Sequence, residues 1–171
     1  MKKIFLLTAI TIFGMAAAFG QKYAFVDSEY ILGNIPSYKA AKEKLDIISA
    51  EWQKEVEAQY AEIDKLYKDY QAEKVLLTEE MRSKREDAII EKERSVKELQ
   101  KKYFGQDGAL FQKRQELIKP IQDEIYQAVK DIATENGYAV IFDTSSGPGM
   151  LYFNPKFDVS DDVLQKLGYK N

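Results

Sequence analysis

The chain has 171 residues, with 25 Lys and Arg against 28 Asp and Glu, and it contains neither cysteine nor histidine. Disulfides, thiol nucleophiles and imidazole bases are therefore excluded, and with them most catalytic and metal-binding constellations. A net charge of −3 argues against general nucleic-acid binding, which wants a basic footprint.

Residues 1–20 read as a leader removed from the mature protein. Lys2 and Lys3 precede an apolar run from Ile4 to Phe13, and Ala18 and Gly20 stand at −3 and −1 of a cut before Gln21. That run is too short to cross a bilayer comfortably, and the pattern is that of a secretory signal peptide. No cysteine lies near the cut, so lipid attachment there is not expected. No later stretch is long and apolar enough to span a membrane, so the expectation is an exported, soluble protein of net charge −5 once both lysines are lost.

Lys22 to Asp27 reads as a short strand, apolar on both faces. Ser28 to Ile35 reads as a short helical turn stopped by Gly33 and Pro36, after which Ser37 caps a long helix. From Ser37 to about Ile132 the chain is dense in Lys, Glu, Gln and Ala, with apolar residues every three or four positions. This is the signature of long amphipathic helix. Its first half carries Leu45, Ile48, Trp52, Val56, Ile63, Leu66 and Tyr70. The second carries Ile89, Val96, Tyr103, Leu110 and Leu117 in steps of seven, then Ile121, Ile125, Val129 and Ile132. Seven-residue steps predict coiled-coil packing. Companion positions such as Lys92, Gln106 and Lys113 are polar, so the seam is thin and the arms should bend.

The reversal is expected near 76–79, where Thr78 is a good N-cap and Glu79 and Glu80 suit a helix start. It yields arms of 40 residues (Ser37 to Leu76) and 39 residues (Glu79 to Leu117), each about 60 Å long at about 1.5 Å per residue. The competing reversal, Gly105-Gln106-Asp107-Gly108, would leave a very long arm facing a short one. Pairing about 76–79 sets Gly105 near Ala50 and Trp52, where the glycines make room for the indole or soften the arm; alanine at Gly105 and Gly108 is then expected to stabilise it.

Asn136-Gly137 ends the return helix, Tyr138 to Asp143 reads as a second strand and Met150 to Phe153 as a third. Ser160 is expected to cap a short helix over Asp161 to Leu167, with Gly168 after its end. The fold class is thus α+β: a long antiparallel helical hairpin (37–119) on a small β head made from both termini (22–36 and 120–171). A head of three short strands with open edges is marginal alone, which points to an obligate homo-oligomer.

Chemistry-bearing constellations are few. Asp27, Asp143, Asp158, Asp161 and Asp162 can gather in the head, and read as turn residues and helix-start anions rather than a metal site. Ser145-Ser146-Gly147-Pro148-Gly149 lacks the lysine and following helix of a phosphate loop. No nucleophile–base pair, cofactor motif or metal set is visible, so an enzyme is not expected. Tyr60, Tyr67, Tyr70, Tyr103 and Phe104 are scattered along the arms, either as seam packing or as adhesive surface. Charge is uneven: twelve Lys/Arg against nine Asp/Glu over 74–119, six against nine over 37–73, and four against eight over 120–171.

Lys22–Asp27 with Ser28, Ala40-Ala41-Lys42 and Leu45 resembles the entry segment of the Skp/OmpH chaperones. Ala128-Val129, Gly137-Tyr138, Val140 to Asp143, Leu151-Tyr152, Asp158 to Asp161 and Val163-Leu164 resemble the family's closing segment in the same order. The resemblance implies a periplasmic, ATP-independent holdase: a jellyfish-like homotrimer whose arms enclose unfolded outer-membrane proteins, with no cofactor. Typical members are strongly basic and this chain is acidic, so no lipopolysaccharide site is carried over. Candidate client contacts are Tyr60, Tyr67, Leu76, Leu77, Met81, Arg82, Lys84, Arg85 and Phe104, the basic trio forming a rim that steers acidic clients. Candidate oligomerisation residues are Tyr23, Phe25, Val26, Val140, Phe142 and Tyr152. The competing reading is a structural coiled-coil spacer or tether of the envelope, which calls for fuller heptads and an anchor.

Overall fold

The computed structural model describes residues 21–147 and 149–169; the expected leader, 1–20, lies outside them. Two compact units emerge. One, the head, gathers the described residues up to Asn34 with those from Glu124 onward; the other, the arm, is Ile35–Asp123.

In the head, β1 (Lys22–Val26) pairs in parallel with β2 (Tyr138–Asp143), Tyr23 opposite Val140 and Phe25 opposite Phe142. Parallel strands need a crossover, and here the crossover is every helix between them. α1 (Ser28–Asn34) follows β1 at once because the Asp27 carboxylate accepts the Tyr30 amide at 2.9 Å. Gly33 lies inside α1 rather than stopping it; the helix ends where Asn34 Nδ2 donates to the Tyr30 carbonyl. After β2 come a 3-10 turn (Pro155–Phe157) and α5 (Ser160–Lys166), which packs on α1. Ala24, Ile31, Val163 and Leu164 are essentially removed from solvent.

The expected third strand does not form. Leu151 and Tyr152 are 99% and 81% exposed in an irregular stretch, and the far edge of β1 is taken by other residues. The Val159 amide donates to the Phe25 carbonyl at 2.9 Å, and Asp158 bridges Phe25. Ser160 does not cap α5 either: its hydroxyl accepts the Asp27 amide (2.8 Å) and donates to Asp158 (2.6 Å), a tertiary tie that outcompetes the local one.

In the arm, α2 (Pro36–Glu73) starts at Pro36, with Ile35 in the cap position and no side-chain cap, so Ser37 is not the start signal. Proline at the first helical position loses no bond and arrives with φ already set. The chain reverses over 74–78, and Thr78 caps α3 (Glu79–Phe104) by accepting the Met81 amide. Val56, Ile63 and Tyr70 of α2 pack with Ile89 and Val96 of α3, flanked by Leu66, Leu77, Leu99, Tyr103 and Phe104.

At Gly105–Gly108 the return path breaks before α4 (Ala109–Asn136). A Cβ on Gly105 would stand 2.4 Å from the Lys101 carbonyl oxygen, and one on Gly108 2.8 Å from that of Tyr103. The expectation that alanine stabilises these positions is thereby overturned. The segment is a tight turn that closes on backbone, and its glycines are there because nothing else fits. α4 stops at Gly137, whose φ of 69° lies in the left-handed region glycine tolerates.

Candidate functional site: the arm seam, its reversal and the head sheet

A thin apolar seam leaves polar groups to align the two arm helices. Across it, Tyr103 donates to Glu55 (2.8 Å), Tyr60 to Gln100 (3.3 Å), and Lys92 Nζ stands 2.7 Å from Glu62. Tyr70 donates to Glu86, and Arg85 reaches Glu73 at 3.3 Å. Each pair joins α2 to α3 at matching heights, so they form a ladder that fixes register where the seam is poor. The hydrogen bonds from Tyr70 to Glu86 and from Tyr103 to Glu55, helped by burial, raise both phenol pKa values. The Trp52 indole stacks on Tyr103 at 4.7 Å with 2° between the rings, beside the Gly105 break.

The reversal presents Val75 and Leu76, both 86% exposed, with Met81 half exposed nearby. Leu77 instead turns inward and packs on the seam. The predicted basic trio is present but engaged. Arg82 Nε donates to the Lys74 carbonyl (3.0 Å) and so closes the end of α2, while its Nη1 lies 3.5 Å from Glu79. Lys84 pairs with Glu80 at 2.7 Å and Arg85 with Glu73. Tyr60 and Tyr67 are exposed along α2, whereas Phe104 is half-buried against the seam.

In the head, strand alternation decides which candidate residues face outward. Tyr23, Phe25, Val140 and Phe142 share one face of the sheet, extended by contacts of Tyr23 with Phe157 (5.4 Å) and of Phe25 with Phe153 (5.3 Å). Tyr23, Val140, Phe142 and Phe157 are exposed there. Val26 is buried on the opposite face, and Tyr152 stands in the irregular stretch after β2.

The aspartates behave as structure. Asp143 accepts from the Ser28 amide and hydroxyl (3.1 and 2.7 Å) and from those of Ser145 (3.1 and 2.8 Å). Burial alone would raise its pKa; those four donors overcome that and hold it below the usual carboxylate value. Asp27 and Asp158 serve as described above, and Tyr30 donates to Asp161 at 3.0 Å. No metal-binding group of three or more candidate ligands occurs among the described residues. Sequence reasoning missed the Ser28–Asp143–Ser145 clasp and the ladder. The ladder had a signal, since its partners' numbers sum to a near-constant value about the reversal; the clasp had none.

A family model described as outer membrane protein (OmpH-like) matches residues 22–167, from the first residue of β1 past the end of α5. The chain belongs to the OmpH-like family. Among curated proteins, it is 25% identical over 160 residues to the chaperone protein Skp of Vibrio cholerae serotype O1, covering 89% of this chain and 86% of that one. Among solved structures, an OmpH-like protein of Caulobacter crescentus CB15 shares the fold, with a TM-score of 0.66 at 15% identity, over 86% of this chain and 84% of that one. The long helices and two-stranded sheet of this OmpH-like chain are therefore the family's architecture. No described helix is long and apolar enough to cross a membrane.

Proposed function

We propose that this OmpH-like protein is a periplasmic, ATP-independent holdase chaperone, not an enzyme, that takes unfolded outer-membrane proteins against its arms. One observation carries the reading: the arms are held by a polar ladder, which leaves aromatic and aliphatic groups outside the seam. Tyr67, Leu76 and Met81 are such groups, and the exposed ring of Tyr60 adjoins them while its hydroxyl bonds Gln100. Leu77 and Phe104 brace the seam beneath them, and Arg82, Lys84 and Arg85 supply polarity at the reversal. Family membership and the name of the Vibrio cholerae relative support the chaperone role.

Assembly as a homotrimer follows the same reading. The outward face of Tyr23, Phe25, Val140 and Phe142, with Tyr152 beyond it, is apolar surface on a very small sheet, and β2 has no second strand neighbour among the described residues. Such an edge invites pairing.

The test is light scattering of an unfolded β-barrel outer-membrane protein diluted from denaturant, without nucleotide. Trimer at or above the client concentration is expected to keep the barrel protein from aggregating, and Tyr67→Ser with Met81→Ser to weaken protection. Unchanged aggregation would overturn the chaperone reading in favour of a structural spacer. A folded monomer at micromolar concentration in multi-angle scattering would overturn the trimer.

A further inference from the structure

The two paths of the arm differ in continuity, and the return path also carries Pro120 inside α4. α2 runs unbroken from Pro36 to Glu73 with no internal glycine, while the return path is interrupted at Gly105–Gly108. The interruption lies at the end of the run of polar cross-seam ties. Trp52, Glu55, Tyr60, Glu62, Tyr70 and Glu73 all meet α3 between the break and the reversal. The Gly105 amide makes the last i→i−4 bond of α3, to the Lys101 carbonyl (2.8 Å), and the Gln112 amide reaches back to the Gly108 carbonyl (3.1 Å) at the start of α4; between them the Gly108 amide turns to the Gly105 carbonyl (2.9 Å). An open cleft of about 700 Å³ lies against it, lined by Lys101, Lys102, Gln106 and Gln112 among others.

Two parallel rods held against sliding at both ends cannot bend in their common plane unless one path lengthens or shortens. With helix axes about 9 Å apart, a bend of about 30° demands a path difference of about 5 Å. Helices do not stretch that far without losing their bonds. Four residues can supply it, because they span about 6 Å when helical and up to about 13 Å when extended. From this we infer that Gly105–Gly108 is a one-sided hinge: the clamped segment 52–104 swings as a unit, α2 bends gently opposite the break, and the loop takes up the difference. The hinge is a property of this chain's backbone and stands apart from the chaperone reading.

The chain has no cysteine, so two introduced cysteines carry the only spin labels. Lys97→Cys with Arg114→Cys spans the break, and Ser83→Cys with Lys97→Cys lies within α3; all three positions are exposed. In full-length protein diluted with unlabelled chain, pulsed electron–electron resonance is expected to give a distance distribution at least twice as wide for the spanning pair. Gly105→Ala with Gly108→Ala excludes the observed turn and favours helix, so it should narrow that distribution towards the width within α3. Equal widths for the two pairs in the parent protein would overturn the hinge and leave a rigid kink. If the alanine variant fails to fold, the parent widths alone decide.

Discussion

Val56, Ile63, Tyr70, Ile89 and Val96 make a single buried stripe between two helices of the arm, whereas in the head β1, α1 and α5 bury residues from three directions. The polar ties differ as well. Arm ties join residues as little as 12 positions apart, as in Arg85 to Glu73, and many are exposed. Head ties join residues 115 and 133 positions apart, Ser28 to Asp143 and Asp27 to Ser160, and are part-buried. The arm is thus held by neighbours and the head by distant partners, so head formation waits on the closure of a very long loop. The difference teaches where strength and compliance lie: a thin, locally made arm can yield without unmaking the layered head.

The strongest way to break this comparison is to cut an equivalent side chain in each region. Ile31→Ala, at a fully buried head position, should cost about 3–5 kcal/mol, and Ile63→Ala on the arm stripe about 2 kcal/mol, because a site with a solvent-facing flank collapses more easily. Urea denaturation followed by circular dichroism measures both. An arm truncation that costs as much as the head one would mean the stripe is a true core.

Next in size is the Asp143 clasp. Asp143→Asn should destabilise the head by roughly 1 kcal/mol, a value already discounted for partial exposure. Because the folded pKa is depressed, the clasp's contribution is complete above the ordinary value of about 3.9 and is lost as pH falls through the lower folded value. Acid titration of near-ultraviolet circular dichroism should show this dependence in the parent and a weaker one in the variant. Fluorescence of Trp52, the chain's single tryptophan and a residue of the arm, should differ little between them over that range. A matching tryptophan change would join the two regions.

The smallest effect sharpens the arm side. Tyr70 and Tyr103 have raised pKa values, so their bonds to Glu86 and Glu55 contribute fully below the ordinary phenol value of about 10 and are lost as pH rises through the folded values. Tyr70→Phe with Tyr103→Phe should flatten the alkaline loss of arm helicity and lower the melting temperature slightly at neutral pH. An alkaline profile identical to the parent's would show that the ladder does not bear on arm stability.

Much of the fold was legible because its signals are local. Seven-residue steps marked the stripe, Thr78-Glu79-Glu80 marked the start of α3, and Asn136-Gly137 marked the end of α4. The misread elements are those where a tertiary partner overrode a local preference. Ser160 left its cap for the Asp27 amide, and Asp158 and Val159, not Met150 to Phe153, came to the free edge of β1. The candidate surface divides the same way. Tyr67, Leu76 and Met81 lie outside the seam and Tyr60 bonds across it, while Val26 turned inward because strand alternation sends it opposite to Phe25.

By itself, then, the sequence determined the long helical stretch, the place of its reversal and the two strands that flank it, since period and caps are written within a few turns of chain. Only the tertiary structure decided the break at Gly105–Gly108, the partners of Asp143 and Ser160, and which strand residues face out. Each of these depends on which backbone atoms come within 3 Å of one another, and no short window of residues contains that distance.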